Sequence, residues 1–421
     1  GELHGTVLRG RSGILTFQVN PDPKDPDTYI ADVGQGGLGL PDRDFYLNND
    51  EKSKGLRTKY EAHIATMLQL IGDDKATAET AAKNILAFET SLAKRSKPRA
   101  ELRDPDATYN KLGFSGFAAL DASVPWDAYF AGLGYPGEKV GANLNVSVPD
   151  FFKGLGKELK KAKIGTLKSY LRWHTLNASA DYLTKAIVDA DFEMRKALTG
   201  AEKLSPRWER CTDLTNFSLR ELAGPLFVAE KFAGDNKKVA LEMIAAIEGA
   251  LAEALPSLEW MDDKTRARAL EKMKAITNKI GYPDKWRDYS KVEVGNEFLA
   301  NVLAAREFNF RHHGDKIGQK VDRGDWYMPP AMVNAYYNPS ANEIVFPAGI
   351  LQPPYFSQDF PMAMNFGGIG MVMGHEVTHG FDDQGRKFDG KGVLQEWWEP
   401  EVSKQFEERA QCIDKTYSEI E

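Results

Sequence analysis

The sequence lacks several features that would place it in a specialised class of protein. No apolar run reaches the ~18 residues that a membrane-spanning helix needs, and the longest candidate, residues 361–374, is too short. There is no basic excess, because 54 Lys and Arg stand against 61 Asp and Glu for a net charge of −7, which argues against a nucleic-acid partner. With 42% hydrophobic and 27% charged residues, the 421-residue chain is typical of globular proteins with two or three domains of about 100–200 residues.

Cysteine is also scarce, since only Cys211 and Cys412 occur. Two reduced thiols would suit a reducing compartment. One disulfide would close a loop of about 200 residues and would need an oxidising compartment. The spacing of the two cysteines does not choose between these alternatives.

Most of the chain between residues 51 and 279 has the periodicity of helices. Apolar residues recur at three- and four-residue steps in residues 79–95 and 238–255. Residues 262–280 predict a further helix, with an acidic start, a basic interior and Gly281 and Pro283 as stop signals. These stripes predict the buried core of a helical domain rather than a functional site. A glycine cluster at residues 34–39 resembles a phosphate-binding loop only superficially, because no Lys-Ser or Lys-Thr pair follows it, so it predicts a turn.

The composition changes near residue 286, where longer irregular stretches rich in Tyr, Trp, Pro and Asn begin. Residues 333–346 predict two short strands joined by a turn at Asn338-Pro339-Ser340. Residues 362–381 then predict an apolar helix. We therefore divide the chain into a mostly helical domain over residues 1–290 and a second domain over residues 291–421.

The second domain contains the HExxH pattern, formed by His375, Glu376 and His379. Two histidines four residues apart on a helix project from one face, so both imidazoles can reach the same Zn²⁺. Zinc lowers the pKa of a bound water to about 7 and polarises a scissile carbonyl. Glu376 is then placed to take the proton of that water as a general base.

A catalytic zinc ion needs a third protein ligand and an open position. Glu399 lies 24 residues after His375, a spacing that resembles that of the third ligand of thermolysin. Glu396 and Glu401 are close neighbours of Glu399, so distance along the chain is a weak criterion. A solvated acidic helix start is the simpler interpretation of Glu399.

Two long motifs resemble the neprilysin and endothelin-converting-enzyme family of zinc metallopeptidases. They are VNAYYNPSANEIVFPAGILQPPYF, residues 333–356, and GHEVTHGFDDQGRKFDGKG, residues 374–392, with weaker support from GLGLPDRDFYL, residues 37–47. The resemblance implies a mainly α fold with small β elements. In it, a large helical domain and a thermolysin-like catalytic domain enclose a central cavity.

The resemblance also implies roles for individual residues. His375 and His379 match the first two ligands of a single zinc ion, Glu376 matches the catalytic base, and Asp382 matches an acid that orients a ligating imidazole. Asn334 and Ala335 match a motif whose edge strand binds the substrate backbone. An exposed strand edge can accept an extended peptide as an additional strand, and the Asn amide offers both a donor and an acceptor.

Other implications concern specificity and location. Ile350, Tyr355 and Val372 match the hydrophobic pocket for the side chain after the cleaved bond, which implies cleavage on the amino side of hydrophobic residues. From the residues alone these three would be interpreted as core. Cys211 and Cys412 match a family disulfide, which implies a secreted, extracellular or periplasmic protein.

The sequence departs from the family pattern at its end. The family's third zinc ligand is a Glu in a GENIAD-like motif, which we expect beyond Glu421 in a C-terminal segment or separate chain. The chain, which starts with GELHG, is thus expected to be the middle of a longer protein. We expect a zinc endopeptidase acting on oligopeptides, or a large fragment of one. A non-catalytic peptide-binding pseudoprotease or partner-capturing module is the alternative.

Overall fold

Helices predominate in the computed structural model, which describes residues 13–420 of the chain. The predicted mainly α class with small β elements is confirmed. The GELHG segment at residues 1–5 and the terminal Glu421 lie outside the described residues.

Six strands in the described chain form two three-stranded sheets. The first sheet has the order β1 (Leu15–Asp22), β2 (Asp25–Gln35), β3 (Leu144–Val146), with β2 and β3 parallel. The second contains β4 (Thr277–Gly281), β5 (Tyr336–Asn338) and β6 (Glu343–Pro347). In it, β6 is central, parallel to β4 and antiparallel to β5. The predicted hairpin around Asn338-Pro339-Ser340 is therefore confirmed, and β5 is an edge strand.

The α-helices of the described residues connect and flank these sheets. In chain order they are α1 (Asp44–Leu47), α2 (Glu51–Leu70), α3 (Lys75–Ala93), α4 (Pro105–Thr108), α5 (Gly113–Ala119), α6 (Trp126–Leu133), α7 (Gly137–Val140), α8 (Pro149–Phe152), α9 (Leu155–Lys161), α10 (Ile164–Ser179), α11 (Lys185–Thr199), α12 (Arg207–Ser218), α13 (Gly224–Lys231), α14 (Asn236–Ala254), α15 (Asp263–Lys274), α16 (Phe298–Gly314), α17 (Met362–Gly367), α18 (Ile369–Thr378) and α19 (Pro400–Ser418). None of them is long and apolar enough to cross a membrane.

Two compact units divide the chain. Of the described residues, one unit holds 13–20, 28–214 and 289–320, and the other holds 21–27, 215–288 and 321–420. The single boundary predicted between residues 290 and 291 does not match this division. One reason is the pairing of β4 with β6, which makes residues 215–288 part of the unit that carries HExxH.

The unit that carries HExxH has a hydrophobic core behind α18. Ile344 and Phe346 of β6 contribute to it from the sheet, and Met243 and Ile244 contribute from α14. Because β6 is buried along its whole length, the sheet and α18 are fixed to the same core. This packing determines where the side chains of α18 and β5 can lie relative to each other.

The cysteine pairing implied by the family resemblance is not formed in this structure. Cys211 is half-buried on α12, Cys412 is exposed on α19, and no disulfide joins them. The two residues belong to different compact units. The pairing had no support from the spacing of the cysteines and rested on the resemblance alone.

Candidate active site

Helix α18 presents the two histidines of HExxH from one side. Ile369, Met373 and Val377 point into the core, each at most 1% exposed. His375 and His379 each follow a residue of this apolar stripe by two positions, which is about 200° around a helix. Their side chains therefore lie on the opposite side of α18. The His375 and His379 Nε2 atoms lie 3.0 Å apart, and their rings meet at 77° with centroids 4.4 Å apart.

This donor pair is suited to zinc. Two imidazole nitrogens, each about 2.0–2.1 Å from a tetrahedral zinc ion, lie about 3.3 Å apart. The observed separation of 3.0 Å is within a few tenths of an ångström of that value. The two residues therefore fit two positions of a zinc site with little movement.

Asp382 fixes the orientation of the second histidine. Its Oδ2 lies 2.7 Å from His379 Nδ1, and its Oδ1 accepts hydrogen bonds from the backbone N–H groups of Gln384 at 2.9 Å and Gly385 at 2.7 Å. A carboxylate on Nδ1 favours the tautomer with the proton there, which leaves the Nε2 lone pair for a metal. The structure thus brings the Asp382 carboxylate to the Nδ1 side of the His379 ring.

Glu376 lies beside the same imidazoles but is only 6% exposed. Burial raises the pKa of its carboxyl above the usual value, whereas the His379 and His375 imidazoles and the backbone N–H of Tyr337 lower it. The net shift is upward. A carboxylate with a raised pKa is a stronger base, as a general base near neutral pH requires.

A cavity of about 340 Å³ brings the histidines together with the edge strand. Its lining includes both histidines, the predicted base, the predicted orienting acid and the two peptide-binding candidates. The lining residues are Asn334, Ala335, Tyr336, Tyr337, Pro339, His375, Glu376, His379, Asp382, Gln384 and Gly385.

Asn334 and Ala335 lie immediately before β5 rather than within it. Asn334 is exposed, and its Oδ1 accepts a hydrogen bond of 2.9 Å from the Ala335 backbone N–H. Tyr336 and Asn338 are register partners of Val345 and Glu343 on β6. The Tyr337 N–H points away from β6, toward Glu376, which makes this the open edge of the sheet.

The three predicted pocket residues do not line this cavity. Ile350 is 6% exposed within the core cluster, and Val372 packs against the same cluster. Tyr355 is 41% exposed. Core packing accounts for Ile350 and Val372 without a role in binding.

Glu399 is not a metal ligand in this arrangement. It lies at the N-cap of α19, and its Oε1 is 2.5 Å from Lys264 Nζ and 3.5 Å from an Arg268 guanidinium nitrogen. It is absent from the cavity lining, and between residues 13 and 420 no group of three or more His, Cys, Asp or Glu is arranged to hold a metal. The thermolysin-like spacing was misleading because Glu399 is held by basic residues of another helix.

The sequence interpretation missed Lys272, which is 1% exposed beneath the loop after HExxH. Burial lowers the pKa of its amine to about 7, and Asp389 and Asp382 act in the opposite direction. A signal was available, because Lys272 lies on the same helical face as the buried Thr265, Ala269 and Met273. A lysine inside a buried stripe indicates a specific partner.

Two sequence models, both described as Peptidase family M13, match this chain over residues 2–283 and 334–421. Endothelin-converting enzyme 1 of Mus musculus is 36% identical, over 97% of this chain and 54% of that protein. An endothelin-converting enzyme homolog of Locusta migratoria is also 36% identical, over 96% of this chain and 58% of that protein. The chain spans about half the length of the curated relatives it matches.

Solved structures share the fold. Zinc metalloprotease ZMP1 of Mycobacterium tuberculosis, in complex with an inhibitor, superposes with a TM-score of 0.93 at 36% identity, over 99% of this chain and 63% of that chain. PepO from Lactobacillus rhamnosis HN001 superposes with a TM-score of 0.86 at 25% identity, over 96% of this chain and 64% of that chain.

Proposed function

Because the chain belongs to peptidase family M13, we propose that it carries the metal-binding helix and the peptide-binding strand of a zinc-dependent endopeptidase acting on oligopeptides. The observation that carries this proposal is the geometry of α18. Two Nε2 atoms 3.0 Å apart, with a buried carboxylate beside them, open onto the cavity beside an edge strand. Such a constellation suits hydrolysis of a peptide bond.

One zinc ion per molecule would be held by His375 and His379, and the third ligand comes from polypeptide outside this sequence. Two findings support that assignment. The described residues hold no third ligand at the cavity, and the curated relatives are nearly twice as long as the match. A C-terminal segment or chain that supplies a glutamate is therefore part of the proposed active protein.

The residues of this chain have distinct tasks in hydrolysis. When bound, zinc would lower the pKa of water and polarise the scissile carbonyl. Glu376 accepts the proton of the attacking water and donates it to the leaving amine, because its carboxylate lies beside both imidazoles in the cavity. Asp382 keeps His379 in its ligating orientation throughout.

The substrate is held as an additional strand on the open edge beside β5. The Tyr337 N–H is directed to Glu376 and the Ala335 N–H donates to Asn334 Oδ1, so peptide pairing is left to the Ala335 carbonyl and the Asn334 amide nitrogen. Among the described residues, no acceptor engages the Asn334 amide nitrogen, which makes it available to a substrate carbonyl.

Cleavage on the amino side of hydrophobic residues is the specificity that we propose. The support for this specificity is the family resemblance of Ile350, Tyr355 and Val372. The cavity adds no support, because none of these three residues lines it. A peptide library varied at the position after the cleaved bond would test it. Equal cleavage of charged and apolar residues there would contradict it.

The same resemblance leads us to propose that the protein acts outside the cytoplasm, in a secreted, extracellular or periplasmic location. Non-reducing mass spectrometry of the native protein tests the associated cysteine pairing. A linked peptide containing Cys211 and Cys412 would support an oxidising compartment. Recovery of both as thiols would count against it.

The decisive experiment for the peptidase proposal is Glu376→Gln in the full-length protein. Cleavage of a fluorogenic peptide should fall by roughly 10²–10⁴-fold, because the general base is lost. Zinc content should stay the same, because Glu376 is not a ligand in this proposal. Glu242→Gln, an exposed acid on α14, is the matched control and should leave both measurements unchanged.

A non-catalytic peptide-binding protein is the second candidate, and the presence of only two imidazole ligands among the described residues favours it. It predicts peptide binding without turnover in the full-length protein. Chelator-sensitive cleavage that Glu376→Gln abolishes would exclude this alternative.

A further inference from the structure

Lys272 of α15 makes three short hydrogen bonds to one loop. Its Nζ donates to the backbone carbonyl oxygens of Gly380 at 2.6 Å, Gly385 at 2.7 Å and Phe388 at 2.6 Å. An ammonium group has three hydrogens and no acceptor, so the three carbonyls match its full donor capacity. These carbonyls belong to residues 380–388, here named the 380–388 loop.

Three aromatic rings also surround the ammonium group, and the carboxylates of Asp389 and Asp382 favour its charged form electrostatically. The ring centroids of Tyr337, Phe381 and Trp397 lie 5.8, 5.5 and 5.6 Å from Nζ. Aromatic faces at this distance attract a cation but do not replace hydrogen bonds. Because a buried charge without partners is very unfavourable, Lys272 and the loop carbonyls constrain each other.

The 380–388 loop also positions Asp382. The Gly385 N–H donates to Asp382 Oδ1, while the Gly385 carbonyl accepts from Lys272. A Cβ atom at Gly385 would lie 1.8 Å from the His379 carbonyl oxygen, so the loop folds back closely onto the end of α18. The loop can take this path only while its inward-facing carbonyls have a donor.

The same lysine is linked to the edge strand. Asn342 Nδ2 donates to the Lys272 carbonyl at 3.0 Å and to the Gly390 carbonyl at 3.1 Å, and Tyr337 Oη donates to Asn342 Oδ1 at 2.9 Å. Tyr337 in turn lines the cavity beside Glu376. The segment after HExxH and the strand β5 are thus fixed to one buried residue.

We propose that Lys272 is a positioning residue of the metal site, which holds the 380–388 loop so that Asp382 keeps His379 ready to bind zinc through Nε2. The inference rests on the proposed zinc site, but its first readout needs no metal. In the metal-free full chain, ¹⁵N-histidine NMR reports which ring nitrogen of His379 carries the proton.

The test compares Lys272→Met with Lys274→Met, an exposed lysine on the same helix. Lys272→Met should shift His379 away from the Nδ1–H tautomer and weaken zinc binding by about 10–100-fold, the usual effect of losing support around a ligand. Lys274→Met should change neither measurement. If Lys272→Met does not fold, Lys272→Gln takes its place; its amide has two N–H donors for three carbonyls, so it should change both measurements in the same direction but less.

A double variant separates positioning from general destabilisation. If Lys272 acts through Asp382, adding Lys272→Met to Asp382→Asn should weaken zinc binding no further than Asp382→Asn alone. Additive losses, or an unchanged His379 tautomer in Lys272→Met, would overturn the inference. Failure of the parent full-length protein to bind zinc would instead refute the proposed function, and the tautomer measurement would still decide the role of Lys272.

Discussion

The Lys279 ammonium group lies 2.8 Å from a carboxylate oxygen of Glu343, and both side chains are nearly buried between β4 and β6. Lys279 also donates to the Asp325 carbonyl at 2.9 Å, and Asn338 Nδ2 donates to Glu343 at 3.3 Å. This pair therefore links the two strands that flank β6 in the sheet beside the active-site cavity.

Lys279→Met should destabilise the protein by about 3–5 kcal/mol, because it leaves the Glu343 carboxylate buried without its cation. Urea unfolding at pH 7 measures the effect. Lys279→Met combined with Glu343→Leu should recover much of the loss, since no uncompensated charge remains. A double variant as unstable as the sum of both single variants would show that the charges do not act as a pair.

Asp382→Asn should weaken zinc binding by about 10–100-fold, because an amide holds the His379 Nδ1–H less strongly than a carboxylate. Competition with a chromogenic chelator measures the affinity of the full-length protein. The neighbouring Asp383 is exposed, so Asp383→Asn provides a control of equal chemistry. Equal losses in both variants would contradict the role of Asp382.

Glu399→Ala should leave zinc affinity within about twofold of the parent value, because its carboxylate pairs with Lys264 and Arg268 and lies outside the cavity. The same chelator competition serves as the measurement. A loss of metal binding in this variant would restore Glu399 as the third ligand.

His63 makes stability depend on pH. Burial lowers its pKa from 6.5 to about 4, so below pH 6.5 the unfolded chain binds its proton more readily than the folded chain. This stabilising contribution is complete above pH 6.5 and is lost as the pH falls toward 4. Between pH 7.5 and 5.0 the loss is about 2 kcal/mol.

His63→Leu should therefore reduce the difference in unfolding free energy between pH 7.5 and pH 5.0. Chemical denaturation at the two pH values measures this difference in parent and variant. The Trp173 ring, 5.4 Å from that of His63, remains packed against an apolar side chain in the variant. An unchanged pH dependence would show that His63 is not protonated on unfolding in this range.

Helical periodicity and one spaced motif were enough to predict part of this molecule. The stripe of residues 79–95 predicted Ile85 and Leu92 as core, and both are fully buried on α3. The HExxH spacing alone predicted a shared face for His375 and His379. Both inferences use contacts between residues that are close in sequence, which a helical repeat determines directly.

Features that depend on distant partners were not predictable in this way. The predicted helix over residues 262–280 ends at Lys274, because Thr277–Gly281 pairs as a strand with β6 far along the chain. Glu89 is fully buried because Tyr46, Tyr60 and His174 supply its hydrogen-bond partners.

The strand β1 was missed although its sequence alternates. Leu15, Phe17 and Val19 are buried, whereas the residues between them are more exposed, as a strand with one buried face requires. Residues 20–27, rich in proline and aspartate, have the composition of a loop. In the structure they include the end of β1 and the start of β2.

The length of β5 limits what the proposed enzyme can digest. This edge strand has three residues, and the Tyr337 N–H on its open side is already directed to Glu376. A bound polypeptide can thus gain only a few main-chain hydrogen bonds, each worth about 0.5–1.5 kcal/mol. That gain is too small to unravel a stable domain, which costs about 5–15 kcal/mol, so natively folded proteins should resist attack except at frayed ends or unstructured loops.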